Sequence, residues 1–190
     1  MVLSQRWLTV SNMVTFLRIV LVPFIVAGIV RGSWLSVFLL LVAAAITDVL
    51  DGYLARWLDE QTLLGACLDP IADKILLVSS FSALAFIDSP SFSIPGWFVF
   101  LIVVREAALV GGAFFLYLQG AQVTIAPSIA GKLTTFFQLL FIFWLFVCYF
   151  VGWNPIKTYG VALVVLSLLS VFSFYHYVRV GITSFDRMQQ

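Results

Sequence analysis

The chain has few charged residues, a single histidine and only two cysteines. Asp, Glu, Lys and Arg make up 10% of its 190 residues, whereas soluble domains carry about 25%. Cys67 and Cys148 lie in different segments, so they give no disulfide framework. His176 lies far along the chain from Cys67, which argues against a zinc site. The net charge of +1 gives no electrostatic basis for binding nucleic acid.

Apolar sequence fills most of the chain. Hydrophobic residues account for 63% of it, and the mean hydropathy is +1.11. Apolar segments of roughly 20 residues match the thickness of a bilayer. We therefore expect an all-α integral membrane protein in the form of a six-transmembrane-helix bundle, with residues 1–190 making a single domain. The predicted spans are residues 12–30, 34–57, 69–87, 97–118, 131–151 and 158–178.

Acidic residues are concentrated in one stretch, residues 47–74, which reads TDVLDGYLARWLDEQTLLGACLDPIADK. It contains six of the nine acidic residues. They are Asp48, Asp51, Asp59, Glu60, Asp69 and Asp73. On a helix, residues three or four apart share a face. Asp48 lies three residues before Asp51, and Asp69 lies four residues before Asp73. Two such helices facing each other would bring four carboxylates to one point.

Four carboxylates at one point repel unless cations lie between them. A site of oxygen ligands alone suits hard divalent cations such as Mg²⁺, Mn²⁺ or Ca²⁺. Gly52 and Ala55 lie on or beside the same face and leave room for a ligand to approach the backbone. Arg56 follows, with a planar fork suited to a phosphate or diphosphate. These residues together indicate phosphoryl-type chemistry on a diphosphate.

Some of these carboxylates also have ordinary structural explanations. Asp69 precedes Pro70, as a helix N-cap followed by proline would. Asp59 and Glu60 are typical of a solvated loop, and we assign them to one. A purely structural explanation is weaker for the four motif carboxylates taken together, because each carboxylate near a bilayer core costs about 2.5 kcal/mol or more. These four are Asp48, Asp51, Asp69 and Asp73.

The spacing of the motif also resembles a known signature. It has Asp, two residues, Asp-Gly, two residues, Ala-Arg, eight residues, Gly, three residues, Asp, three residues and Asp. The matching positions are Asp48, Asp51, Gly52, Ala55, Arg56, Gly65, Asp69 and Asp73. This pattern resembles the signature of the CDP-alcohol phosphatidyltransferases. The chain length and the number of apolar segments are also similar to that family.

The resemblance implies an enzyme of phospholipid biosynthesis. It would transfer a phosphatidyl group from CDP-diacylglycerol to the hydroxyl of a glycerol-based acceptor and release CMP. Two divalent cations, Mg²⁺ or Mn²⁺, would be held by Asp48, Asp51, Asp69 and Asp73. Asp73 would also take the proton of the acceptor hydroxyl. The CDP-lipid would be bound by Gly52, Ala55, Arg56 and Gly65.

The first predicted span carries a polar face. Asn12, Thr15 and Arg18 are three residues apart, so they lie on the same side of a helix. An arginine inside a membrane span is costly unless it faces a polar cavity. With Pro23, these residues resemble an arrangement at the start of family members that make glycerophospholipids. We expect them to line the cavity.

The acceptor is predicted less directly. Arg105 and Lys132 resemble the acceptor-binding positions of phosphatidylglycerophosphate synthases, and could hold glycerol 3-phosphate. Arg105 and Glu106 could form an ion pair within the membrane, but neighbouring residues of a helix point apart, so we expect Arg105 to face the cavity and Glu106 to support it or another helix. Two further cations of those enzymes are missing here, at Ala113 and Thr134. Glycerol 3-phosphate is the first choice and phosphatidylglycerol, the acceptor of cardiolipin synthases, the alternative; inositol phosphate and serine stay open.

An even number of spans puts both termini on one side of the membrane. With the termini inside, more basic residues fall on the cytoplasmic side, which favours that orientation. Those inside are Arg6, Arg56, Arg179 and Arg187, and those outside are Arg31 and Lys157. The polar metal-binding cavity would then face the cytoplasm, in a multi-pass protein of the bacterial inner membrane. A homodimer is left open.

A protein of another class, a small cation transporter or channel, would also carry intramembrane carboxylates. It does not require the glycine, alanine and arginine positions of the motif, and this favours the enzyme.

Overall fold

A computed structural model describes the backbone of residues 10–57, 63–87, 93–118 and 129–188. Side chains are described for residues 16–48, 71–87, 93–112 and 131–179. All regular structure in these parts of the chain is helical, which confirms the predicted class. The helices are α1 (Val10–Val30), α2 (Trp34–Trp57), α3 (Leu63–Phe86), α4 (Gly96–Leu118), α5 (Ile129–Val151) and α6 (Ile156–Met188).

Two helices differ from their predicted bounds by more than two residues. Helix α3 begins at Leu63 rather than at Asp69, so Asp69 lies inside the helix and is not an N-cap. The residues before Asp69 include leucine and alanine, which are strong helix formers. Helix α6 continues to Met188, ten residues beyond its predicted end. The predicted end of α6 was set by the number of residues that cross the bilayer core. That number does not limit a helix that continues beyond the core.

The helices form two compact units, residues Met1–Ser89 and Pro90–Gln190. In the first unit, α1 packs against both α2 and α3. Gly28 makes the close contact of α1 with α2, because a Cβ atom there would lie 2.7 Å from Cγ2 of Val37. Ile25, Ile29 and Leu41 are buried. The packing of α1 on α2 and α3 brings Arg18 of α1 to Asp48 of α2 and Asp73 of α3.

In the second unit, α6 packs against both α4 and α5. Gly112 marks a close approach of α4 to α6, since a Cβ atom there would lie 3.1 Å from the ring of Tyr177. The hydroxyl of Tyr177 on α6 donates a hydrogen bond of 3.0 Å to the carbonyl of Leu109 on α4. Gly111 precedes Gly112 in the sequence, but only Gly112 makes a close contact with α6.

Two tight turns connect α1 to α2 and α5 to α6. Gly32 has φ 67° and Gly152 has φ 68°, a left-handed conformation that glycine adopts without strain. After Gly32, the amide of Ser33 donates to the carbonyl of Gly28 at 2.9 Å, and after Gly152, the amide of Trp153 donates to the carbonyl of residue 148 at 2.9 Å. Both are Schellman caps, which satisfy the last carbonyls of a helix and reverse the chain.

Two helical segments in the parts of the chain with described side chains are long and apolar enough to cross a membrane. They are Gly131–Val151 and Ile156–Arg179, each with a mean hydropathy of 2.0. Large apolar side chains of these segments are exposed, such as Phe136, Leu168 and Phe172. An exposed apolar surface of this kind suits a lipid environment. The structure is thus consistent with a helical membrane protein, and the six-span arrangement stays a prediction.

Candidate active site

A buried arginine connects the three helices of the first unit. Arg18 of α1 is 1% exposed, and its Nη1 atom lies 2.9 Å from Oδ1 of Asp48 on α2. The same nitrogen donates to Oδ1 of Asp73 on α3. Because α1 packs between its two neighbours, Arg18 can reach a carboxylate on each of them. Residues that are 25 or more positions apart in the sequence thus meet at one guanidinium group.

The two carboxylates are accessible, although their arginine partner is not. The side chain of Asp48 is 44% exposed and that of Asp73 is 40% exposed. Arg18 therefore lies behind the carboxylates, and a ligand can approach them from the opposite side. The donors are oxygen atoms of carboxylates, which fit a hard divalent cation. The structure places Arg18 in a buried position behind the two carboxylates, and its cavity-lining role stays a prediction.

Most of the predicted motif lies outside the described side chains. For Asp51, Gly52, Ala55, Arg56, Gly65 and Asp69, and for Asn12 and Thr15, the structure describes only the backbone, which is helical. Where side chains are described, no three metal-ligating groups come together. The four-carboxylate centre therefore stays a prediction, with two of its four members, Asp48 and Asp73, brought to the same arginine.

A second polar cluster lies in the other unit, around Arg105 of α4. Its Nη1 atom donates to Oε1 of Glu106 at 2.5 Å, and both residues are buried. Its Nη2 atom donates to the carbonyl of Gly131 on α5 at 3.2 Å and contacts Oγ of Ser173 on α6 at 3.3 Å. Arg105 therefore connects α4, α5 and α6.

Arg105 and Glu106 bend towards each other, so the prediction that these neighbours point apart was wrong. The backbone positions are about 100° apart on a helix, but both side chains are long enough to bend towards each other. The two groups form an ion pair, because a buried arginine requires a counter-charge. This contact is the ion pair between neighbouring residues, the arrangement that the sequence made less favoured, and the cavity-facing position of Arg105 stays a prediction.

A polar seam between α5 and α6 was not predicted from the sequence. Gln138 is fully buried, and its Nε2 atom donates to Oγ of Ser170 at 3.2 Å. Ser170 in turn donates to the carbonyl of Leu166 at 2.8 Å. Thr134 is also buried, one turn before Gln138. Polar residues three or four apart on otherwise apolar helices, such as Thr134 with Gln138, were a signal for this seam.

Lys132 lies at the beginning of α5 and its side chain is exposed. It directly follows Gly131, whose carbonyl accepts the hydrogen bond from Arg105. The hydroxyl of Thr135 approaches the same carbonyl at 3.2 Å. The first turn of α5 is thus fixed from α4, which also fixes the point where the Lys132 side chain leaves the helix. Ala113 is in α4, outside the described side chains.

The sequence matches the model of the CDP-alcohol phosphatidyltransferase family over residues 8–183, which include parts of both units. The chain belongs to this family. The prediction of an enzyme of this type is confirmed. Members of the family generally use divalent metal ions.

Relatives of two kinds are similar to the chain. A CDP-diacylglycerol–glycerol-3-phosphate 3-phosphatidyltransferase from Aquifex aeolicus is 34% identical, over 70% of this chain and 72% of that protein. One from Shigella flexneri is 30% identical, over 88% of this chain and 92% of its own length. A probable CMP-forming cardiolipin synthase from Drosophila melanogaster is 34% identical, over 71% of this chain but only 46% of the fly protein. The similarity to both kinds confirms the predicted likeness to these two groups.

Proposed function

We propose that this phosphatidyltransferase transfers a phosphatidyl group from CDP-diacylglycerol to a hydroxyl group of glycerol 3-phosphate, giving phosphatidylglycerophosphate and CMP. The observation that carries the proposal is the convergence of Asp48 and Asp73, the first and last residues of the family motif, on one buried arginine. The names of the relatives from Aquifex aeolicus and Shigella flexneri support the choice of acceptor.

The carboxylates of Asp48, Asp51, Asp69 and Asp73 are proposed to hold two divalent cations, Mg²⁺ or Mn²⁺. When bound, these cations would neutralise the diphosphate and stabilise the departing CMP. The accessibility of Asp48 and Asp73 supports this role, because a ligand needs an open side of each carboxylate. Asp69 lies one turn before Asp73 on α3, as the predicted set requires.

The chain's own residues have separate tasks in the proposed reaction. Asp73 accepts a hydrogen bond from the attacking hydroxyl and orients it, with the hydroxyl proton passing to this carboxylate as the new bond to phosphorus forms. A carboxylate that also contacts a metal is a weak base, so orientation carries more of its effect. Gly52, Ala55, Arg56 and Gly65 are proposed to bind the CDP-lipid.

The acceptor phosphate is proposed to bind the cations of the second unit. Lys132 is exposed and supplies the direct contact, while Arg105 holds the carbonyl of Gly131 and adds positive charge from within the helix packing. A phosphate dianion is bound best by fixed, charged donors. Because Glu106 compensates Arg105, Lys132 is the cation on which the proposed acceptor contact depends most.

We further propose that the six helices all cross the bacterial inner membrane, with the motif on the cytoplasmic side. The apolar character of Gly131–Val151 and Ile156–Arg179 supports spans for α5 and α6. Helices α1 and α2 contain shorter apolar segments, Phe16–Val30 and Trp34–Asp48. These segments are shorter than a span, but the whole helices α1 and α2 have 21 and 24 residues, enough to cross the bilayer core and to leave the acidic end of α2 near one surface.

One assay tests both the reaction and the acceptor. The purified enzyme in detergent is given CDP-diacylglycerol with glycerol 3-phosphate or with phosphatidylglycerol, and CMP release is measured. We expect release with glycerol 3-phosphate, its loss in EDTA and its recovery with Mg²⁺ or Mn²⁺. Release with phosphatidylglycerol alone would replace the acceptor and make the chain a cardiolipin synthase, the second candidate supported by the similarity to the fly protein.

The same assay identifies the carboxylates. Asp48→Asn should abolish CMP release in a protein that remains folded, because a ligand with half the oxygen atoms and no charge binds a hard cation poorly. Asp59→Asn provides the matched control, since that residue is assigned to a solvated loop. Full turnover by Asp48→Asn, or by the wild-type enzyme without divalent cations, would contradict the proposed site.

A further inference from the structure

The position of Arg18 raises a question of charge balance. Its guanidinium group is almost fully buried, and one nitrogen atom serves carboxylates from two different helices. Arginine cannot lose its proton in proteins, so this positive charge is permanent. Asp48 and Asp73 need a counter-charge to approach each other, and Arg18 supplies it without any metal.

A divalent cation bound by the same carboxylates would lie close to this arginine. The contact from Arg18 to Oδ1 of Asp48 is 2.9 Å, and an oxygen–Mg²⁺ bond is about 2.1 Å, so a cation bound to that oxygen would lie within about 5 Å of the arginine nitrogen, and one bound to the other oxygen within about 7 Å. Charges of +1 and +2 at these distances repel each other by enough to change an affinity about tenfold, even at the dielectric constant of water. Arg18 therefore stabilises the metal-free site and opposes the binding of the metal.

We propose that Arg18 is an internal counter-cation that keeps the α2 and α3 carboxylates assembled when no metal is bound, and thereby lowers the affinity of the site for divalent cations. The arginine is a positioning residue in this role, since it acts through Asp48 and Asp73. The proposal rests on the metal site of the proposed function. It goes further in assigning to a residue of α1 the control of how tightly that site binds.

The test compares stability with and without metal in the full-length protein in detergent. The variants are Arg18→Gln, which removes the charge, and Arg18→Lys, which keeps it. Arg31→Gln serves as the control, because Arg31 is exposed at the end of the same helix. Thermal unfolding is measured in EDTA and in saturating Mn²⁺. Mn²⁺ binding is measured directly, from the loss of the electron paramagnetic resonance signal of free Mn²⁺.

We expect Arg18→Gln to lose more stability in EDTA than in Mn²⁺, with a difference in Tm of about 3–5 °C for a chain of this size. Its Kd for Mn²⁺ should be about tenfold lower than that of the wild type. Arg18→Lys and Arg31→Gln should keep the wild-type difference between the two buffers. Adding Asp73→Asn to Arg18→Gln should restore part of the Tm in EDTA, because it removes the repulsion between the carboxylates.

Other results would overturn the proposal. Equal losses of Tm in both buffers with an unchanged Kd would assign Arg18 to the fold alone, as would a Gln variant that cannot be purified in either buffer. Weaker Mn²⁺ binding by Arg18→Gln would mean that the arginine orients the ligands rather than opposing the metal. An Arg18→Gln variant that folds only in Mn²⁺ would support the proposal, because it would show the expected loss of stability in EDTA in its largest form.

The same data separate this inference from the one on which it rests. A wild-type protein that binds no Mn²⁺ would remove the metal site itself, and the role of Arg18 with it. Binding by the wild type, with no difference between Arg18→Gln and Arg18→Lys, would leave the metal site standing and refute only the role of the arginine.

Discussion

The ion pair of Arg105 and Glu106 leads to an asymmetric prediction. Replacing Glu106 by Leu leaves a buried guanidinium group whose other contacts, the carbonyl of Gly131 and the hydroxyl of Ser173, are neutral. Replacing Arg105 by Met leaves a buried carboxyl group. A carboxyl group can become neutral by taking up a proton, whereas a guanidinium group cannot. Glu106→Leu should therefore be the more damaging change.

The size of the effect follows from the burial of both partners. Arg105 and Glu106 are 2% and 5% exposed, and removing one member of such a pair costs about 3–5 kcal/mol. At about 2–4 °C per kcal/mol, the Tm of Glu106→Leu should fall by about 6–20 °C. Apolar replacement of both members is often neutral, so the double variant Arg105→Met/Glu106→Leu should be more stable than Glu106→Leu alone.

Thermal unfolding of the wild type, the two single variants and the double variant in detergent gives the coupling free energy. We expect a coupling of about 2 kcal/mol or more, whereas independent sites add within about 0.5 kcal/mol. Acceptor kinetics on the double variant add a second measurement, because it loses the contact from Arg105 to Gly131. Its KM for glycerol 3-phosphate should rise, with little change for the CDP-lipid. Additive losses of stability would refute the reasoning.

Three further predictions follow from other parts of the structure. Lys132→Ala should raise the KM for glycerol 3-phosphate about tenfold or more, as loss of a charge-assisted phosphate contact does. The control variant Lys157→Ala should leave this KM unchanged. Equal KM values for the two variants would exclude Lys132 as the acceptor cation. Gly28→Ala should lower the Tm by overpacking α1 against α2, at a cost of about 1–3 kcal/mol. Gly160 has open space around it, so the control variant Gly160→Ala should keep or raise the Tm. A higher Tm for Gly28→Ala would contradict the close packing. In a chain without its native cysteines, a thiol reagent added outside the membrane should label cysteines in the α1–α2 and α5–α6 turns but not one between α2 and α3; labelling of all three would refute the six-span topology. The positions for these cysteines are Ser33, Asn154 and Gln61.

The helices could be predicted from the sequence because each apolar segment is bounded by glycine, proline or charged residues. The structure ends α1 at Val30, before Arg31 and Gly32, and gives α2 its predicted bounds. In a bilayer the backbone must satisfy its own hydrogen bonds, so long apolar segments form helices whatever their detailed sequence. The start of α3 was missed because Pro70 was interpreted as the first turn of a helix, although leucine-rich sequence precedes it.

The candidate site was predictable in its residue types and less so in its contacts. Helical spacing alone indicated that Arg18 would face a polar cavity, since no other environment in a membrane span suits an arginine. It could not identify Asp48 and Asp73 as the partners, because that depends on how α1 packs against α2 and α3. The pairing of Arg105 with Glu106 was missed for a related reason: side-chain bending is decided by the neighbouring helices α5 and α6, not by the spacing along α4.

The seam between α5 and α6 restricts how the second unit can move. Gln138 and Ser170 are fully buried and hydrogen-bonded to each other. A slip of one residue along either helix would shift their positions by about 1.5 Å and turn one of them by about 100°, exposing a polar group to an apolar surface. Sliding between the two helices is therefore penalised at every intermediate step. We therefore expect α5 and α6 to move together, because sliding of one along the other breaks this buried hydrogen bond.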